Sequence, residues 1–159
     1  MRPATWSISS PGASQRVELS TFEDVARLAR ALPETEETTS WGNLTWAVRS
    51  GGKAKPKGFV WERPLSKKDQ AFLTAEGAEV PPNEVILGVR VDGLAEKEAV
   101  LAANPDFMFT TPHFNGYPAV LVRLDRVDEA RLREVVTDAW LAVAPKKLAD
   151  QFLAGETDS

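Results

Sequence analysis

Residues 107–148 constrain the fold more than any other stretch of this chain. Phe107-Met108-Phe109 is a short apolar run. It leads into Thr110-Thr111-Pro112-His113-Phe114-Asn115-Gly116-Tyr117-Pro118, a polar and aromatic turn that holds the only histidine. Ala119 to Leu124 reads as a strand leaving the turn. Beyond it Leu132, Val135, Val136, Ala139, Trp140 and Val143 recur at helical spacing, which predicts a long helix with one buried face. Asp128 is the expected N-cap, with Val127 and Leu132 as a hydrophobic staple. Pro145 breaks this helix and opens a shorter one carrying Leu148 and Phe152. Two strands joined by a turn and followed by an amphipathic helix are the parts of a helix layered on an antiparallel sheet.

Upstream, the same logic supplies the remaining elements. Ser20 and Glu23 read as a capping box, and Phe22, Val25, Ala26, Ala29 and Leu32 form one helical face that Pro33 ends. Glu34, Glu36 and Glu37 read as an acidic linker. Leu44, Trp46 and Val48 alternate as a strand, and Ser50-Gly51-Gly52 is a turn. Phe59 and Trp61 alternate with Val60 and Glu62 in the returning strand, so Trp46 and Trp61 are expected to stack across the hairpin. Ser66 and Asp69 can start a short helix. Val85, Leu87, Val89 and Val91 alternate as a third strand, and Ile86 on its other face implies that both faces meet protein. Asp92 is the expected cap of a helix over Leu94–Ala103, which Asn104-Pro105 stops. Strands in runs of three and two predict an α+β class: an antiparallel sheet of about five strands with flanking helices. A chain of 159 residues is expected to form one domain over residues 17–154, with a flexible segment 1–16 and a disordered tail 155–159.

The 107–148 block, together with Ser40-Trp41-Gly42-Asn43-Leu44-Thr45-Trp46-Ala47-Val48 and the helix from Leu94 to Pro105, resembles the MmcQ/YjbR family. These are small proteins often labelled DNA-binding. The resemblance spans roughly residues 20 to 153 and contains no catalytic signature. It implies an α-β(3)-α-β(2)-α order, likened to secretion chaperones and to a double-wing DNA-binding domain. It also implies DNA as a partner, a likeness of fold rather than of a site.

Composition narrows the chemistry. Without cysteine there are no disulfides, thiolate metal sites or thiol nucleophiles, and the chain suits a reducing, cytoplasmic setting. No apolar run approaches the length of a membrane span, and residues 1–16 lack the apolar region of a secretory signal, so no membrane partner is expected. The net charge is −4, but the charge is uneven. Arg49, Lys53, Lys55, Lys57, Arg63, Lys67 and Lys68 face only Glu62 within their span, leaving +6 there and −10 over the rest. A basic hairpin of this kind can hold phosphates, and it is the candidate nucleic-acid surface. The plainer reading is a solvated lysine-rich loop.

No catalytic residue, cofactor or metal site is expected. His113 has no nucleophile motif and no second histidine, so it reads first as a turn residue packed on Phe114 or Tyr117. Gly51-Gly52-Lys53 lacks the spacing and the following hydroxyl of a phosphate loop. The alternative to nucleic acid is a pocket for a planar aromatic small molecule, built from Trp41, Trp46, Trp61, His113, Phe114, Asn115 and Tyr117. Aromatic residues in strands are more often core, and Trp140 on the inner face of the last long helix is read as core. A protein-interaction module is the third reading. Oligomeric state is left open.

Overall fold

A computed structural model describes the backbone of residues 19–40, 42–49 and 55–158, with side chains to residue 155. Trp41, Lys53, the glycine turn and the N-terminal segment lie outside these residues. The elements in order are α1 (Phe22–Arg30), β1 (Thr35–Ser40), β2 (Asn43–Val48), β3 (Lys57–Glu62), α2 (Lys67–Ala75), β4 (Ile86–Arg90), α3 (Leu94–Ala103), β5 (Met108–Phe109), β6 (Ala119–Arg123), α4 (Glu129–Val143) and α5 (Lys146–Asp158). Six strands form one sheet in the order β1-β2-β3-β4-β6-β5, and every neighbouring pair is antiparallel. The class is α+β, with one strand more than the alternation of apolar residues implies.

The added strand is β1, Thr-Glu-Glu-Thr-Thr-Ser, read above as part of an acidic linker. It is an edge strand with a mostly exposed set of side chains, and its pairing with β2 runs from Thr35↔Val48 to Ser40↔Asn43. Backbone hydrogen bonds, not apolar side chains, define it, and charged residues on such an edge discourage pairing with other chains. Glu37 also has a task inward. Its Oε1 accepts the buried Trp46 indole N–H at 3.1 Å and an Arg30 N–H at 2.8 Å.

One face of the sheet carries the main core. Helix α4 lies across β3 and β4, and α1 packs against α4 and β1. Val25, Ala29, Trp46, Phe59, Leu132 and Trp140 are fully buried there. The Trp140 N–H donates to Pro33 O at 3.0 Å, and its ring centroid lies 5.0 Å from that of Phe152 on α5. Helix α5 continues to Asp158, past the point at which polar composition suggests that order ends. The opposite face bears a smaller core of Leu65, Leu73, Ile86, Phe114, Ala119 and Leu121, covered by α2 and the turn before β6. Ile86 therefore does meet protein on the second face.

Three local expectations change. The cap of α1 is Thr21 with Asp24, not Ser20 with Glu23. Ser20 is buried instead, and its hydroxyl donates to Val127 O at 2.8 Å, tying the start of α1 to the start of α4. Gly93, at φ +149°, takes the N-cap of α3 in place of Asp92. Most consequential is a register shift in the β2–β3 pair: Trp46 faces Val60, but Ala47 faces Gly58. Phe59 is the extra residue of this bulge, so Phe59 and Val60 both enter the main core and Trp61 points to the other face. Trp46 and Trp61 are thus on opposite sides of the sheet and do not stack.

Candidate functional site

The second face is only partly covered, and the uncovered part is a cleft of about 660 Å³. Its sheet side is made by Thr45 of β2, Gly58 and Trp61 of β3 and Arg90 of β4. Its far wall is the turn, through His113, Phe114 and Tyr117. Glu62, Arg63 and Pro64 at the end of β3 and Ser40 and Asn43 at the β1–β2 end complete it. The volume lies within the range of small-molecule sites, and the lining combines aromatic rings with a few polar groups.

Each wall has a physical cause. Trp61 pairs with Gly88 on β4, and a Cβ at Gly88 would lie 2.4 Å from Trp61 Cε2 and Nε1. The indole therefore lies directly on the backbone of β4, and only a glycine leaves it that room. The turn opens with a short 3₁₀ segment, Pro112–Phe114, in which Phe114 is buried and His113 exposed, and Tyr117 three residues on is exposed as well. The His113 and Phe114 rings meet edge to face at 5.2 Å, and Phe114 lies 6.3 Å from Tyr117. His113 thus packs on Phe114, and no group of metal-binding side chains gathers around it among the described residues.

A lysine holds the turn in place. Lys97 of α3 is 7% exposed, and its ammonium donates to Phe114 O at 2.5 Å and Tyr117 O at 2.9 Å. Burial lowers its pKa. Lys97→Met would remove two charge-assisted hydrogen bonds and leave Phe114 O with only the Tyr117 N–H and Tyr117 O with only the Ala119 N–H, at a cost of about 1–3 kcal/mol. We expect a lower urea midpoint and faster amide exchange confined to residues 112–118. Unchanged exchange there would show that the clamp is dispensable.

Two arginines enter the cleft with different commitments. Arg63 donates to Pro64 O and to Asp69 Oδ2, the latter at 3.1 Å, and its guanidinium lies 5.1 Å over the Phe114 ring. Asp69 is the N3 partner of Ser66 in the capping box of α2. Burial pushes the Asp69 carboxyl up. The Ser66 amide, the Thr111 and Ser66 hydroxyls and Arg63 outweigh it, so the carboxyl titrates below its ordinary range. Arg90 lies 5.4 Å over the Tyr117 ring, and among the described residues no carboxylate pairs with it.

The structure gathers Trp61, His113, Phe114 and Tyr117 around this cleft and separates others. Trp46 is in the main core on the reverse side of the sheet. Asn115 is exposed on the turn but does not line the cleft. Trp41 lies outside the described residues. The described basic residues are spread over several elements. Arg49 stands 3.6 Å from both Glu34 and Glu36. Lys55 and Lys57 are exposed at the start of β3, while Lys67 and Lys68 are exposed in the first turn of α2. The length of β3, roughly 17 Å, separates the two groups. Arg63, between them, is half-buried and paired, and Lys53 lies outside the described residues.

Gly88, Arg90 and Lys97 were not singled out by sequence pattern. Arg90 and Gly88 share the period of Ile86, which places them on the second face, and this was the available signal. Lys97 in Leu-Ala-Glu-Lys-Glu-Ala-Val carries no such mark.

The YjbR family model matches residues 30–142, which span β1 to α4. The chain belongs to the YjbR family. An uncharacterized protein of Mycobacterium tuberculosis, Rv2570, is 46% identical over 136 residues, covering 86% of this chain and 98% of its own length. The Mycobacterium bovis protein Mb2600 matches to the same extent. In structure, the chain is similar to Deinococcus radiodurans protein DR2400, a DUF419 protein, with a TM-score of 0.56, 22% identity and 79% of each chain covered. That likeness supports the YjbR fold and says nothing of a ligand. No helix among the described residues is long and apolar enough to cross a membrane.

Proposed function

We propose that this YjbR protein is a cytoplasmic, non-enzymatic binding protein whose ligand is a planar aromatic small molecule. The observation that carries the reading is the cleft itself, in which Trp61, Tyr117 and His113 converge from two elements on one open space. Flat rings bind such a surface by stacking and by displacing water from apolar area. The catalytic alternative has less to build on: the lining holds Ser40, Thr45 and Glu62 as well as His113, but among the described residues no hydrogen bond joins His113 to any of them, and Glu62 Oε1 accepts the Leu44 N–H. The nucleic-acid reading retains Lys55, Lys57, Lys67 and Lys68 as exposed cations, in two separated pairs, because Arg49 and Arg63 are already opposed by carboxylates.

A thermal-shift screen of planar aromatic compounds tests the proposal. A true ligand stabilises the fold by about 2.7 kcal/mol at a hundredfold excess over Kd. Trp61→Ala and Tyr117→Ala should each weaken binding without unfolding the protein. Labelled duplex DNA provides the contrast. Duplex binding at tens of micromolar protein, with a log–log salt slope near −4 for about four phosphates, together with an empty screen, would overturn the small-molecule reading.

A further inference from the structure

We infer that the ligand of the cleft is an aromatic carboxylate, its ring on the Trp61–Tyr117 side and its charge taken by Arg90. The inference rests on the aromatic-ligand reading above.

The cleft has three charged side chains, Glu62, Arg63 and Arg90, and two are already occupied. Glu62 Oε1 accepts the Leu44 N–H at 2.8 Å. Arg63 has placed its guanidinium on Pro64 O and on Asp69. Of the two arginines, only Arg90 has no ion-pair partner among the described residues. Its Nε–H is buried and finds no acceptor there. A buried donor without an acceptor is costly, and a guanidinium presents a planar fork that matches a carboxylate with two parallel hydrogen bonds. The Tyr117 ring beneath Arg90 holds the fork but cannot supply an oxygen in its plane.

The charge balance selects among anions. One free guanidinium with Glu62 also in the lining suits a single negative charge. A phosphate monoester carries about −1.5 to −2 at neutral pH and would face Glu62 without a second free cation. The overall charge of −4 repels polyanions while the cleft attracts a monoanion locally. Trp61 faces Gly88, two residues before Arg90, so Trp61 and Arg90 are diagonal neighbours on β3 and β4, about 7–8 Å apart, a span that an aromatic ring bearing a carboxyl group can cross.

Isothermal titration calorimetry with matched probes tests this. The probes are 1-naphthoate, the neutral 1-naphthalenemethanol and 1-naphthyl phosphate, each with the full chain. We expect 1-naphthoate to bind about tenfold or more tightly than the alcohol, in line with a charge-assisted pair. The phosphate should bind no more tightly than 1-naphthoate. Arg90→Met should abolish the preference for 1-naphthoate over the alcohol, and Arg90→Lys should restore part of it. A thermal melt of each variant checks folding. Equal binding of 1-naphthoate and alcohol by the natural chain would overturn the role of Arg90 and leave the aromatic cleft standing. A clear preference for the phosphate would replace the carboxylate. Binding of no probe would remove the aromatic-ligand reading and this inference with it.

Discussion

Trp140→Ala is expected to cost about 3–5 kcal/mol, the range for truncating a buried aromatic. The indole is 0% exposed, at the centre of the α4 face that lies on β3 and β4. Its loss leaves a cavity between sheet and helix and removes the N–H that Pro33 O accepts where the chain turns from α1 into β1. It also removes the surface on which Phe152 anchors α5. Urea denaturation followed by circular dichroism measures the loss, and limited proteolysis should show α5 released first. Trp140→Phe, which fills most of the volume without the N–H, should cost clearly less. A loss below about 1 kcal/mol for the alanine variant would mean that α4 does not carry the core.

The second large effect is expected at Gly88. Gly88→Ala places a methyl group 2.4 Å from the Trp61 ring, far inside contact distance. Either the indole swings off β4 or the β3–β4 pair is strained. Overpacking of this kind costs about 1–3 kcal/mol. Because Trp61 forms the floor of the cleft, the aromatic ligand should lose at least about tenfold in affinity, equivalent to roughly 1.4 kcal/mol. The double variant Trp61→Ala, Gly88→Ala should be more stable than the sum of the two single losses predicts, since the clash disappears with the ring. Strict additivity would show that the indole does not lie on Gly88 in solution. Calorimetric binding and urea midpoints on the four proteins complete the cycle.

These two positions show how differently the core and the cleft are encoded. Trp140 lies within a run whose apolar residues repeat at the helical period, so its inward direction follows from neighbours three and four residues away. Gly88 has no local mark beyond sharing a strand face with Ile86. What it accommodates is a ring from 27 positions earlier in the chain, brought there by the register Trp61↔Gly88. Lys97 is similar: its partners are carbonyls of the turn, 17 and 20 residues away.

By itself, then, the sequence determined the features that arise from local periodicity and local chemistry. These are the bounds of α3, the cap and inner face of α4, the helix start at Ser66 and Asp69, the strands on either side of the His113 turn, and the α+β class. Tertiary structure alone decided the rest. Strand β1 exists because β2 offers its backbone, not because Thr-Glu-Glu-Thr-Thr-Ser has an apolar face. The faces of Phe59 and Trp61 were decided by a one-residue bulge, and since side chains alternate with a period of two, that single residue carried Trp61 to the side opposite Trp46. Pairing between strands is a property of two segments at once. A cleft that draws Trp61, Arg90 and Tyr117 from three segments is therefore set by their registers, which no single segment specifies.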